Sequence, residues 1–254
     1  MRPAAIAPLA FLALGPGPRA AAQTVDQVIA RYVEARGGLA KVRGVSTLRL
    51  TGRMTLPGVE APLVLELKRP NRMRTEFVFQ GNTGVRAFDG QTAWHVLPLP
   101  GQEARKMPPD EAREAAQLAD IDLSPLIDHA AKGYAVELLG RESGLGREGG
   151  LGGEAFKLVV RSRDGQVRVL YLDTKSYLVT RIEEVRALEG MDEEFVTVVG
   201  DYRSVSGVVF PHAIEVAPRR GADAAQKLVF DRIEVNVPID DGRFAMPVAT
   251  APRS

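Results

Sequence analysis

The stretch Thr47-Leu48-Arg49-Leu50-Thr51-Gly52-Arg53-Met54-Thr55-Leu56 decides the fold class. Leu48, Leu50, Met54 and Leu56 fall on one side of it, and Thr47, Arg49, Thr51, Arg53 and Thr55 on the other. A period of two means extended chain with one dry face and one wet face. The same rhythm returns at Leu63, Leu65 and Leu67, at Met73, Thr75, Phe77 and Phe79, and again at Phe156, Leu158 and Val160. Long antiparallel strands patterned in this way turn their apolar faces toward a shared interior.

Turn chemistry sets the connectivity. Pro57-Gly58, Arg69-Pro70-Asn71, Gln80-Gly81-Asn82 and Asp89-Gly90 divide residues 45–97 into five strands in meander order. Strands resume over 135–139, 156–161, 167–173, 178–185, 195–203, 208–216 and 227–235, with Asp164-Gly165 as a further tight turn. The glycine-rich run from Gly144 to Gly153 reads as a loop.

Two helical regions interrupt this pattern. Thr24-Val25-Asp26-Gln27 is a capping box, followed by the apolar stripe Val25, Val28, Ile29, Tyr32 and Val33 and ended by Gly37-Gly38. Pro108-Pro109-Asp110-Glu111 starts a helix whose inner face is Ala112, Ala115, Ala116 and Ala119 with Leu118. Ser124-Pro125 predicts a second inserted helix carrying Leu126, Ile127, Ala130 and Ala131 up to Gly133. The expected fold is α+β, mainly antiparallel β: a half-open β-barrel of about eleven strands with an N-terminal helix and inserted lid helices over about 108–132. A barrel of that width leaves an interior its own side chains do not fill, so the alanine-rich insert either plugs it permanently or acts as a displaceable lid.

Met1-Arg2, the apolar run Pro3–Leu14 and Ala20-Ala21-Ala22 read as a secretory signal over 1–22, leaving a single domain over 23–254. With no cysteine there is no disulfide and no lipid-attachment residue, so the expectation is a free periplasmic monomer. The 33 basic and 32 acidic residues give a net charge of +1 with no like-charge block, and aromatic residues are only 6%, which argues against a nucleic-acid partner.

No catalytic set assembles from the pattern. His95, His129 and His212 lie on different elements with no metal-ligand spacing. Gly144-Leu145-Gly146-Arg147-Glu148-Gly149 fits G-x-G-x-x-G, but a strand pattern follows it where a nucleotide site needs a helix. No G-x-S-x-G elbow exists. The adjacent acids Glu183-Glu184 and Glu193-Glu194 face opposite ways in a strand and form no dyad. The expectation is a non-enzyme with no metal and no cofactor.

Several motifs resemble the LolA/LolB-like group of envelope lipoprotein-carrier proteins. They are the helix Val25–Arg36, Phe88-Asp89-Gly90 followed by Trp94, Tyr171-Leu172-Asp173, Asp201-Tyr202-Arg203, Gly207-Val208-Val209-Phe210-Pro211, Ile233-Glu234-Val235-Asn236 and Ile239-Asp240-Asp241 with Phe244 and Pro247. The resemblance implies a half-open barrel whose apolar cavity takes up the acyl chains of lipoproteins or other lipids, carried between inner and outer membranes, with membrane-bound donor and acceptor proteins as partners. The absence of cysteine at the cleavage site resembles the soluble shuttle of that group, not the anchored receptor. The strand residues expected to line the cavity are Leu48, Leu50, Leu63, Leu65, Phe77, Phe79, Trp94, Leu158 and Val160; Leu118, Leu126 and Ile127 are the expected lid contacts. The rival expectation is an envelope interaction or sensor module without lipid cargo, holding a protein partner by strand addition at its open edge.

Overall fold

Thr24 caps the first helix as its sequence predicts. Its hydroxyl accepts from the Gln27 N–H at 3.3 Å, and the Gln27 side chain accepts from the Thr24 N–H at 3.0 Å. The helix, α1 (Val25–Ala35), buries Val28, Ile29 and Tyr32. The chain is seen in a computed structural model that describes residues 23–143, 153–188, 191–220 and 225–247. The expected signal over 1–22 and the G-x-G-x-x-G run at 144–149 lie outside the described residues.

After the short helix α2 (Leu39–Arg43) the first limb comprises β1 (Thr47–Leu56), β2 (Val59–Lys68), β3 (Arg72–Phe79), β4 (Asn82–Phe88), β5 (Ala93–Val96) and β6 (Arg105–Lys106). Two helices, α3 (Pro109–Leu118) and α4 (His129–Lys132), follow. The second limb is β7 (Ala135–Ser143), β8 (Glu154–Arg161), β9 (Val167–Asp173), β10 (Val179–Leu188), β11 (Met191–Val205), β12 (Val208–Pro218) and β13 (Gln226–Val235). All thirteen strands hydrogen-bond in the order β6-β5-β4-β3-β2-β1-β13-β12-β11-β10-β9-β8-β7. Each limb is a meander, β1 joins β13, and β6 and β7 do not meet. The result is a half-open barrel.

Two expectations need correction. Among the described residues the strands number thirteen, where about eleven were expected; β6 has only two residues, too few to display a period. The second inserted helix is reduced to the four residues of α4. Leu123 and Asp128 both take left-handed backbone, with φ of 53° each, which breaks a helix started at Ser124. Leu126 and Ile127 are still fully buried, carried on turns.

Register builds the inner face, here the face packed against the helices. Across the first limb Leu48 pairs with Leu67, which pairs with Met73, which pairs with Phe88. Two rows on along the same face, Gly52 pairs with Leu63, Leu63 with Phe77 and Phe77 with Gly84. A register shift between Thr51 and Gly52 brings β13 close against β1. A Cβ at Gly52 would lie 1.9 Å from the Val229 carbonyl oxygen, so only glycine fits there.

The outer face of the first limb is covered by the tail that follows β13. Arg243 donates to Glu66 at 2.6 Å and to Glu76 at 3.1 Å, and Arg49 donates to the same Glu66 at 2.9 Å. Glu66 is only 2% exposed, a buried charge made tolerable by two guanidinium partners. Asp241 receives Lys68 at 2.6 Å and Arg72 at 2.5 Å. Hydrogen bonds from Lys68 and Arg72 lower the Asp241 carboxyl from 3.8 to about 2. A carboxyl held low in the folded state stabilises it fully above its unfolded value, and that contribution is lost as pH falls through the folded value. Trp94, the single tryptophan, donates its N–H to the Phe244 carbonyl in the same tail. An acid titration followed by Trp94 emission should therefore include a red-shifting step between pH 3.8 and about 2 that Asp241→Asn lacks. Identical titrations of the two proteins would contradict this assignment.

Candidate functional site

The inner face gathers most of the residues expected to line a cavity. Leu48, Leu50 and Leu63 of the first limb and Leu158 and Val160 of the second are buried in one core, joined by the half-buried Leu65 and Phe77. Leu126 and Ile127 pack into the same core, so both limbs meet the connecting segment there. Phe79 is half-buried at the end of β3. Leu118 is 50% exposed, at the last turn of α3 and beside its alanine stripe.

Trp94 belongs elsewhere. It is 1% exposed but packs with Val85 and Ala87 in a separate cluster on the outer face. Its indole N–H reaches the Phe244 carbonyl at 2.8 Å, and the Arg74 guanidinium lies over its ring at 5.5 Å. Register explains the error. Ala93 pairs with Phe88 and faces inward, so the next residue must face outward. A four-residue strand after a tight turn gives too short a run to fix that parity from sequence.

Three pieces of chain cover the inner face, and they are fastened differently. Helix α1 is pinned by Arg36, which is 2% exposed. Its guanidinium donates to the Val209 carbonyl at 2.7 Å, the Tyr32 hydroxyl at 2.7 Å and the Asp122 carbonyl at 3.1 Å. The segment from Ala119 to Ile127 is pinned by the buried Asp122 carboxylate, which receives Arg69 at 2.5 Å and Lys132 at 2.8 Å. Lys132 also reaches Asp120 at 2.7 Å. Burial raises the Asp120 carboxyl, an effect that Lys132 opposes without cancelling.

Helix α3 is held differently. It lies on β3, β4 and β5 with Ala112, Ala115, Ala116 and Ala119 turned into the core. Its polar side reaches both limbs. One Glu114 oxygen accepts from Arg86 on β4 at 3.0 Å, the other from Arg186 on β10 at 3.2 Å. Glu111 faces His95 on β5 at 3.5 Å. Gln117 accepts from Arg168 on β9 and donates to Gln166 at 2.5 Å. Glu184 lies between Arg168 at 2.8 Å and Arg186 at 2.5 Å. Burial pushes the Glu184 carboxyl up, but Arg168 and Arg186 outweigh it and hold the group below the usual carboxylate range.

Among the described residues the space found beside α3 is small. The pocket bounded by Gln117, Tyr134, Val160, Ser162, Gln166 and Arg168 measures about 10 Å³, at most one water. A wider groove of about 770 Å³ opens where β1, β2 and the tail meet, lined by Ser46, Thr47, Lys68, Arg69 and Asn236. Its cations are already engaged, Lys68 by the Ile239 carbonyl and Asp241, Arg69 by the Val45 carbonyl and Asp122. Among the described residues no cluster of three or more His, Cys, Asp or Glu is arranged to hold a metal, and no helix is long and apolar enough to cross a membrane.

Sequence reasoning missed the polar half of this site. Nothing local to Arg36, Asp122 or Glu114 in the sequence signals the partners each one meets. Each partner set comes from elements distant in sequence. The one local hint was Arg168, Glu184 and Arg186 falling on the apolar parity of β9 and β10.

No protein-family profile and no curated protein sequence matches the chain. Solved structures do. A domain from Vibrio parahaemolyticus named for outer membrane lipoprotein sorting has a TM-score of 0.54 at 13% identity, over 86% of this chain and 94% of its own. A DUF1329 family protein from Desulfovibrio piger gives 0.58 at 12% identity, over 87% and 97%. A LolA superfamily protein from Nitrosomonas europaea gives 0.57 at 13% identity, over 88% and 98%. The shared feature at such identities is the fold. The chain has the half-open barrel of the LolA type.

Glu114 links both limbs through α3, so Glu114→Gln should loosen that helix selectively. With each half-buried pair contributing up to about 1 kcal/mol, amide hydrogen exchange in α3 should quicken several-fold at neutral pH while α1 stays unchanged. Equal exchange of α3 in both proteins would show that the rim pairs do not hold it.

Proposed function

We propose that this protein is a periplasmic carrier that shelters an acyl chain between its inner face and α3, moving lipids or lipoproteins between the inner and outer membranes without covalent chemistry. The contrast in how the inner face is covered carries this reading. Helix α1 and the Asp122 segment are fixed by buried polar bonds, whereas α3 offers the core only alanine methyls. A buried methyl or methylene contributes about 0.8 kcal/mol, so Ala112, Ala115 and Ala116 hold α3 by roughly 2 kcal/mol, with the half-buried ion pairs each adding up to about 1 kcal/mol. An acyl chain passes that sum after about six buried methylenes. Ligand entry by displacing α3 is therefore energetically open, and the filled interior is the unloaded state. The fold likeness to a domain named for lipoprotein sorting supports the same class of cargo.

Candidate contacts for the chain are Leu48, Leu50, Leu63, Leu65 and Phe77 on one limb and Leu158 and Val160 on the other, exposed when α3 leaves. Native mass spectrometry of protein purified from an envelope extract should retain one lipid, displaceable by a fluorescent fatty acid with saturable binding. If neither lipid retention nor fatty-acid binding is found, the carrier reading fails. The free edge of β7 would then be the feature to pursue, as a site for strand addition by a protein partner.

A further inference from the structure

The mouth of the barrel is charged in a way that carrying hydrocarbon alone does not require. In the row that crosses the first limb, Arg105 of β6 pairs with His95, His95 with Arg86, Arg86 with Thr75, Thr75 with Leu65 and Leu65 with Leu50. The inner face thus grades from cationic at its open edge to apolar at its centre. On the second limb the charge lies toward one end of the strands: Arg168 of β9, opposite Glu184, is two residues from Leu170, which pairs with Leu158 in the core. A guanidinium facing the inside of an apolar trough needs an anion beside it.

In the state described here α3 supplies that anion. Glu114 presents one oxygen to Arg86 and the other to Arg186, from opposite limbs. Glu111 faces His95 on the same helix. When α3 is displaced both carboxylates leave with it. The sheet then keeps Arg86, Arg105, Arg168 and Arg186 against Glu184 and Glu193, which stands opposite Arg186. Two arginines lose a charged partner at the moment the apolar centre is uncovered.

We propose that the cargo is an anionic amphiphile whose headgroup replaces the Glu114 carboxylate between Arg86 and Arg186 while its chain replaces the alanine face of α3. This rests on the carrier reading and narrows it to a ligand class. The shared chemistry is a carboxylate or phosphate at the end of an acyl or alkyl chain, as in a free fatty acid or a phosphate-bearing lipid. Arginine suits both, because its planar fork meets two oxygens at once. A neutral headgroup would leave Arg86 without a charged partner and Arg186 with Glu184 alone, and a cationic one would be repelled.

A tail-matched series tests this on the wild-type protein by calorimetry below the micelle-forming concentrations: laurate, dodecyl phosphate, dodecanol and dodecyltrimethylammonium. The expected order places laurate and dodecyl phosphate at least about tenfold tighter than dodecanol, about 1.4 kcal/mol, with the cation weakest. The double variant Arg86→Gln with Arg186→Gln should still bind dodecanol and should lose most of the anion-to-alcohol ratio. Because the readout is a ratio within one protein, a general loss of folding does not imitate it, and thermal melting of the variant checks its integrity. The balance between laurate and dodecyl phosphate separates a carboxylate from a phosphate source. Equal binding of dodecanol and both anions would overturn the anionic headgroup while leaving the carrier intact. An anion preference that survives the double variant would overturn the assignment to Arg86 and Arg186. Absence of binding by every member of the series would remove the carrier reading itself.

Discussion

A single antiparallel sheet with one apolar face has nothing of its own to cover that face. A sandwich solves the problem with a second sheet and a small closed barrel with its own side chains. Here thirteen strands curl only part of the way, so chain from outside the sheet must do the covering. Helix α1, the segment through Ile121, Leu126 and Ile127, and helix α3 share this task. Their attachments decide which of them can leave. Arg36 makes three hydrogen bonds inside the core, and removing it would leave unpaired buried acceptors. Asp122 is buried between Arg69 and Lys132. Helix α3 has no comparable fully buried polar anchor among the described residues; small side chains lie below it, and ion pairs with the Gln117 hydrogen bonds hold its rim.

The two faces of the sheet follow opposite rules. The outer face of the first limb is sealed by the tail, where Glu66, Glu76 and Arg243 form a linked network and Trp94 fills the space beneath. Large aromatic packing and multiply paired charges suit a permanent cover. The inner face near β4 and β5 is instead covered by the alanines of α3, with Glu111 and Glu114 pairing at the rim of that helix. That contrast separates structural from functional surface. It also puts the chain's single tryptophan on the structural side.

The sequence pattern made the architecture legible wherever a local rule was complete. The period of two, the Thr24 capping box and the turns at Gly58, Gly81 and Gly90 each depend on neighbours in the chain, and each matches the structure. Legibility failed where the deciding partner was remote or the run too short. Trp94 sits in a four-residue strand whose parity depends on the preceding turn. Leu126 and Ile127 have helical spacing, but left-handed Leu123 and Asp128 carry them on turns, with Asp128 held by Arg43 at 2.6 Å. The apolar half of the candidate site was readable because burial follows periodicity. Its charged half was not, because Arg86, Glu114 and Arg186 come together only when the two limbs curl toward each other.

Lipid uptake by this route requires α3 to leave the inner face. The chain has no cysteine, so spin labels placed at Leu118→Cys on α3 and Val167→Cys on β9, both exposed, report one distance without interference. Pulsed electron resonance on the lipid-free and lipid-loaded protein measures it directly. A longer label-to-label distance on loading is the predicted result. Stoichiometric lipid binding with that distance unchanged would contradict the displaceable cover.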